Sequence, residues 1–174
     1  MRSRRVILPL LAATLLLAAC GRDNSGGGGG GGGGGSNASP GITDTTVKLG
    51  SSYPFSGPAS AYSAIPKSLN GFFKKVNDNG GVNGRKVQFI TYDDGYEPQR
   101  ALANAKRLVE QDKVFAIVNP LGTANNLAMR DYLNQMKVPQ LFAASGATTW
   151  GRDAAKYPWT IGFQPSYAAE GFVY

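Results

Sequence analysis

AIVNPLGTANNLA, Ala116 to Ala128, reads as a short buried strand, a loop of small residues and the start of a helix. The strand is an unbroken apolar run, the pattern of a parallel strand covered on both faces. The first N–H groups of the helix that follows lack partners, so the loop offers a place for an anion. Phosphate-binding loops of this shape carry a Walker-type Lys or a G-x-G-x-x-G spacing, and neither is present. The stretch therefore predicts a strand–loop–helix unit and raises the question of which anion it suits.

Outward from this unit the same alternation continues in both directions. TTVKLGSSYP (Thr45–Pro54) predicts a first strand, and a helix follows from about Ile65 to Asp78, with Pro66 tolerated in its first turn and Gly80 and Gly81 ending it. GRKVQFITYDD predicts the second strand, and EPQRALANAKRLVEQD a second helix with Ala101, Ala105, Leu108 and Val109 on one face. A third helix is expected from Thr123 to Met136 with Leu127, Ala128 and Leu133 inward, then strands in VPQLFAA and YPWTIGF and a helix start in SYAAEGFVY. Alternating β and α elements at this spacing predict an α/β fold with a doubly wound parallel sheet. Every strand-to-helix loop then lies at the carboxyl edge of the sheet. Those loops are rich in Ser, Thr, Asn, Gly and aromatics and poor in Lys and Arg, an edge suited to a small, partly polar molecule.

The first 43 residues are of another kind. Arg2, Arg4 and Arg5 precede the apolar run Val6–Ala19, which contains Pro9 and is shorter than the roughly 20 residues of a spanning helix. Residues 1–19 are read as an export signal, with Ala18 and Ala19 before the cleavage point. Its removal takes three arginines from a formal charge of +7, leaving +4. Cys20 is the chain's one cysteine and closes LAAC, which resembles a bacterial lipobox whose Cys carries the lipid. A lone exported thiol cannot form an internal disulfide, and acylation gives it a use. Gly26 to Gly35 are ten consecutive glycines, too costly in entropy to order, so residues 20–43 are expected to form a flexible tether from the membrane.

FSGPASAY, NDNGGVNGRKV, YDDGYEPQRALANAKRLV, NPLGTANN, VPQLFAASGAT and YPWTIGFQPSY, taken together and in order, resemble the type I periplasmic binding proteins. More narrowly they resemble the leucine/isoleucine/valine-binding receptors of branched-chain amino acid ABC transporters. The resemblance covers about residues 44–174 and implies a Rossmann-like first lobe over 44–163, with 164–174 beginning the crossing into a second lobe that lies beyond Tyr174. It also implies an answer to the anion question: the carboxylate of a free amino acid, whose single charge a helix N-terminus and a hydroxyl can hold without Lys. By position that hydroxyl falls on Thr123, with Gly122 beside it. The second carboxylate and ammonium contacts fall on Ser145, Gly146, Ala147 and Thr148, a loop preceded by one extra residue. Tyr62 matches an aromatic lining the pocket. Gln164 and Tyr167 stand where the chain leaves for the second lobe, Gln164 in place of an acid common there.

The function so implied is an extracytoplasmic, lipid-anchored substrate-binding protein that delivers an amino acid to an ABC permease without catalysis, cofactor or metal. The alternative is a sensor of the same fold that reports an amide, urea or aromatic acid without transport. Asp93 and Asp94 invite an acid–base reading, yet neighbours on a strand point to opposite faces and cannot share one substrate atom. With no His and a single Cys the usual metal sites are poorly supported. Lys74–Lys75 and Arg85–Lys86 read as solvated surface rather than a nucleic-acid patch. Trp150 and Trp159 read as core or rim residues.

Overall fold

A computed structural model describes residues 39–174. The export signal, Cys20 and the tether as far as residue 38 lie outside the described residues. Five strands, β1 (Thr46–Tyr53), β2 (Lys86–Asp93), β3 (Ala116–Val118), β4 (Gln140–Ala143) and β5 (Thr160–Gly162), form one sheet in the order β2-β1-β3-β4-β5. Every pairing is parallel. The order turns back between β1 and β3, and the crevice outside their carboxyl ends is where open α/β sheets bind ligands. The helices are α1 (Ala64–Asp78), α2 (Pro98–Glu110), α3 (Thr123–Gln135), α4 (Thr149–Arg152) and α5 (Tyr167–Gly171). The sequence pattern did not indicate α4, nor the 3-10 turn Ser60–Ser63 that leads into α1.

Helix α1 ends as its glycines dictate. Gly81 sits at φ +81°, and a Cβ there would lie 2.0 Å from the Arg85 carbonyl oxygen, so only glycine lets the chain fold back into β2. Helix α2 buries Ala101, Ala105, Leu108 and Val109, the face its periodicity predicts. These pack with Met129 and Leu133 of α3 and with Ile117 of β3 into the main core.

Helix α3 corrects the expected face. Leu127 is 37 % exposed, and the inward residues besides Met129 and Leu133 are Asn125, Asn126 and Arg130. The reason is a polar network beneath the helix. Gln140 Nε2 donates to Asn126 Oδ1 at 2.8 Å, and Gln140 Oε1 accepts from Thr160 Oγ1 at 3.0 Å. Asn134 Nδ2 donates to that same threonine oxygen at 2.8 Å. Hydrogen bonds thus join α3 to β4 and β5 where a purely apolar reading places leucine.

The opposite face of the sheet is less covered. Helix α1 packs mainly on β2, and beside it runs an apolar groove of about 680 Å³ lined by Leu49, Ile65, Leu69, Phe72, Phe142 and Phe163 among others. Among the described residues no helix is long and apolar enough to cross a membrane.

Candidate ligand site at the carboxyl edge

The loop Asn119–Gly122 delivers the chain from β3 into α3, and its shape is held from inside. Asn126 Nδ2 donates to the carbonyls of Pro120 (2.7 Å) and Gly122 (2.8 Å), while Asn126 N–H makes the first intrahelical bond to Gly122. Gly122, at φ +91°, is the residue that caps the helix. Thr123 is therefore the first helical residue and not the cap. Its backbone N–H and those of the next two residues precede the first intrahelical bond.

Thr123 Oγ1 lies 2.6 Å from Ser145 Oγ on the loop after β4. Ser145 is fully buried, and its hydroxyl oxygen also accepts from Ala147 N–H at 3.2 Å. Trp150 Nε1 donates to the Ser145 carbonyl at 2.9 Å, so the indole read as a core or rim residue backs the candidate loop directly. The two hydroxyls have two protons between them. One is used inside the pair, which leaves the other for an outside acceptor. No Lys or Arg occurs in residues 54–63, 94–97, 119–123, 144–149 or 163–167, and the guanidiniums that reach these loops from α2 and α3 are Arg100, held on Asp93, and Arg130, held on Thr149.

The structure brings Gly122, Thr123, Ser145 and Gly146 together around this pair, with Tyr167 against Gly146. Tyr167 N–H donates to the Gly146 carbonyl at 2.7 Å, and a Cβ on Gly146 would meet the Tyr167 ring at 2.5 Å. Ala147, Thr148 and Gln164 line an adjoining hollow of about 380 Å³ with Trp150 and Ser166. Tyr62 stands on the 3-10 turn, 54 % exposed.

Tyr96 had no clear signal in the sequence, whereas Asn125, in NPLGTANN, was read as able to share the work of Thr123 at the helix start. Tyr96, on the loop after β2, lies against Gly122, where a Cβ would fall 2.6 Å from its Cε2. Asn125 is 1 % exposed, and its side-chain nitrogen and oxygen have no partner among the described residues.

The two acids separate as alternation requires. Asp94 is fully buried and accepts from Ser52 Oγ at 2.7 Å and from Tyr96 N–H at 2.8 Å. Asp93 accepts from Ser56 Oγ at 2.6 Å and from the N–H groups of Phe55, Ser56 and Gly95. The Ser56 hydroxyl, aided by those backbone donors, holds the Asp93 carboxyl well below its ordinary value of 3.8. It is a carboxylate that joins two loops. Among the described residues no three His, Cys, Asp or Glu are grouped to hold a metal.

The carboxyl-edge loops of this parallel sheet gather hydroxyls, glycines and tyrosines around a helix start, at the edge where open α/β sheets take ligands. The profile of the family described as "Periplasmic binding protein" matches residues 46–174, and the chain belongs to that family. An "Amino acid binding protein" of Pseudomonas aeruginosa is 49 % identical over 43 residues, 25 % of this chain and 12 % of that one. The crystal structure of a possible leucine/isoleucine/valine-binding protein from Rhodopirellula baltica is similar with TM-score 0.66 and 28 % identity, over 74 % of this chain and 35 % of the other. A solute binding protein of an ABC transporter from Rhodopseudomonas palustris, in complex with 3,4-dihydroxy benzoic acid, is similar with TM-score 0.58 and 27 % identity, over 70 % and 32 %. The chain thus spans about a third of the length of these two structures, and its sheet is the first lobe of the type I architecture. Members of the family are binding proteins, and membership places the chain outside the cytoplasm.

Proposed function

We propose that this chain is the first lobe of a lipid-anchored substrate-binding protein that captures a free α-amino acid, of the branched-chain class, and delivers it to an ABC permease. The observation that carries the reading is the Thr123–Ser145 hydroxyl pair, 2.6 Å apart at the start of α3, on an edge whose loops bear no Lys or Arg. One ligand carboxylate oxygen accepts the remaining hydroxyl proton, and the first N–H groups of α3 serve the other. The loop Ser145–Thr148 and Gln164 stand toward the ammonium, with an acid of the second lobe completing its shell. Tyr62 and Tyr167 border the ligand. Closure of the second lobe over the ligand shifts an open–closed equilibrium by differential affinity, and the closed form is what the permease recognises. Residues 1–19 export the chain, and Cys20 and the glycine tether hold it near the membrane.

The decisive experiment is a thermal-shift screen on the natural reading frame containing this sequence, without signal and tether. The panel holds Leu, Ile, Val, Phe, the corresponding amines, urea, simple amides and benzoate-type acids. Amino acids raise the melting temperature, the amines do not, and Thr123→Ala lowers the shift, with a loss of about 1.5–3 kcal/mol expected for a hydrogen bond to a charged group. Stabilisation by amines as strong as by amino acids sinks the carboxylate reading.

A second reading, a sensor or receptor for an aromatic acid, has one observation in its favour: Tyr96 and Tyr167 both lie against the glycines flanking the hydroxyl pair. Benzoate-type acids stabilising the protein where amino acids fail decides for it.

A further inference from the structure

The hydroxyl pair is flanked by two glycines, and each has a tyrosine ring where its side chain would be. A Cβ on Gly146 would lie 2.5 Å from Tyr167 Cδ1, and a Cβ on Gly122 would lie 2.6 Å from Tyr96 Cε2 and 2.8 Å from its hydroxyl oxygen. Tyr167 is the first residue of the short helix α5. Tyr96 is held by the interior of the lobe. Its backbone is in the left-handed region at φ +65°, unfavourable for a bulky residue. What holds it there is a chain of hydrogen bonds centred on the buried Ser52–Asp94 pair. Asn104 Nδ2 donates to Ser52 Oγ at 3.0 Å, Ser52 Oγ donates to Asp94 Oδ2 at 2.7 Å, and Asp94 Oδ1 accepts the Tyr96 N–H at 2.8 Å. The ring so placed is still 42 % exposed. The ring keeps one side on Gly122, the residue before Thr123, and leaves the rest open at the carboxyl edge.

We propose that Tyr96 is a specificity-determining residue of the ligand site, the fixed wall against which the apolar group next to the ligand carboxylate packs, and that Asp94 is its positioning residue. The inference rests on the carboxylate reading of Thr123 and Ser145. It assigns the buried acid a role that is not acid–base chemistry: Asp94 never meets the ligand and acts only through the backbone of Tyr96. It also gives Gly122 a reason beyond helix entry, since any side chain there competes with the ring for one space.

Affinities for Val, Leu and Phe are measured by calorimetry on the natural reading frame, for wild type, Tyr96→Ala, Tyr96→Phe, Asp94→Asn and Gly122→Ala. Tyr96→Ala is expected to change the Phe-to-Val affinity ratio about tenfold in favour of Phe, the scale on which a pocket wall discriminates. Tyr96→Phe leaves the ratio within about twofold, because the ring and not the hydroxyl forms the wall. Gly122→Ala and Asp94→Asn move the ratio in the same direction as Tyr96→Ala, and do so much less once Tyr96 is alanine. Wild type that binds, together with a Tyr96→Ala protein in which all three affinities fall by one common factor, overturns the wall and leaves the carboxylate reading intact. Wild type that binds none of the three overturns the carboxylate reading, and the role of Tyr96 falls with it.

Discussion

On one face of the sheet Leu108, Met129 and Leu133 are fully buried, whereas on the other Phe72, Phe142 and Phe163 are 59, 46 and 67 % exposed. Both faces are built from amphipathic elements. Helix α1 has its own apolar stripe, Ile65, Leu69, Phe72 and Val76, at helical spacing, yet Pro66 is its one buried residue. The difference is the number of helices in the covering layer. Helices α2 and α3 pack side by side and enclose what lies between them and the sheet, while α1 alone covers the second face and leaves the groove between itself and β4. Amphipathicity makes a residue able to be buried; a neighbouring element decides whether it is. A parallel sheet is stable with both faces covered, so the α1 face is where this lobe has most apolar area still to bury.

The largest expected effect breaks that comparison directly. Leu108→Ala removes a fully buried side chain from the closed face and should cost about 2–5 kcal/mol of unfolding free energy. Phe72→Ala on the open face, though it deletes more atoms, should cost about 1 kcal/mol or less, since little of its area leaves water. Urea denaturation of residues 39–174 measures both. Equal losses would mean that the groove is closed in solution.

An intermediate effect tests what seals the closed face at its polar end. Asn126 accepts from Gln140 and donates to the Pro120 and Gly122 carbonyls. Asn126→Ala removes one partner from each of these groups, which keep Asn126 C=O, Ala144 N–H and Asn126 N–H respectively, so the cost should be about 1–3 kcal/mol in all, and it loosens the loop that carries Thr123. Stability should fall, and ligand affinity should fall beyond what a distant mutation of equal cost produces. A stability-matched variant such as Ile117→Val provides the control.

How much of this could be read from the residues alone follows the same division. Parallel alternation and the face of α2 were legible because apolar periodicity is local, whereas placing the Thr123 and Ser145 loops in one site came only from the family resemblance. Helix α3 was read with Leu127, Ala128 and Leu133 inward and without Asn126 or Arg130, because the partners of those two, Gln140 and Thr149, come from β4 and the start of α4, and no local pattern announces a buried polar network. Tyr96 was missed for the same reason. Its position is set by Gly122, 26 residues further along the chain, and an aromatic in a D-G-Y-E turn reads as surface until the glycine is beneath it.

The smallest expected effect concerns the two acids, which the strand assigns to different faces. Asp94 shares the closed face with Ser52 and is buried; Asp93, on the open side, keeps 32 % side-chain exposure and joins the loop after β1 to the loop after β2. Its carboxyl is held below its ordinary value of 3.8 by the Ser56 hydroxyl first and the backbone donors after it. A carboxylate with a depressed folded pKa contributes stability that is fully present above the unfolded value and is lost as pH falls through the folded one. Wild type should therefore lose stability on acidification from about pH 4 downward, and Asp93→Asn should flatten that limb by lowering stability at pH 7 while differing least from wild type at the acid end. Arg100 lies 3.1 Å from the same carboxylate, but at 52 % exposure the pair is a surface ion pair of small net value. Ser56→Ala should therefore shift the acid limb upward in pH more than Arg100→Ala does, in melts run from pH 2 to 7. The opposite ranking would show that the guanidinium, and not the serine of the first loop, sets the carboxyl's titration, and that the two loops are joined by charge rather than by hydrogen bonds.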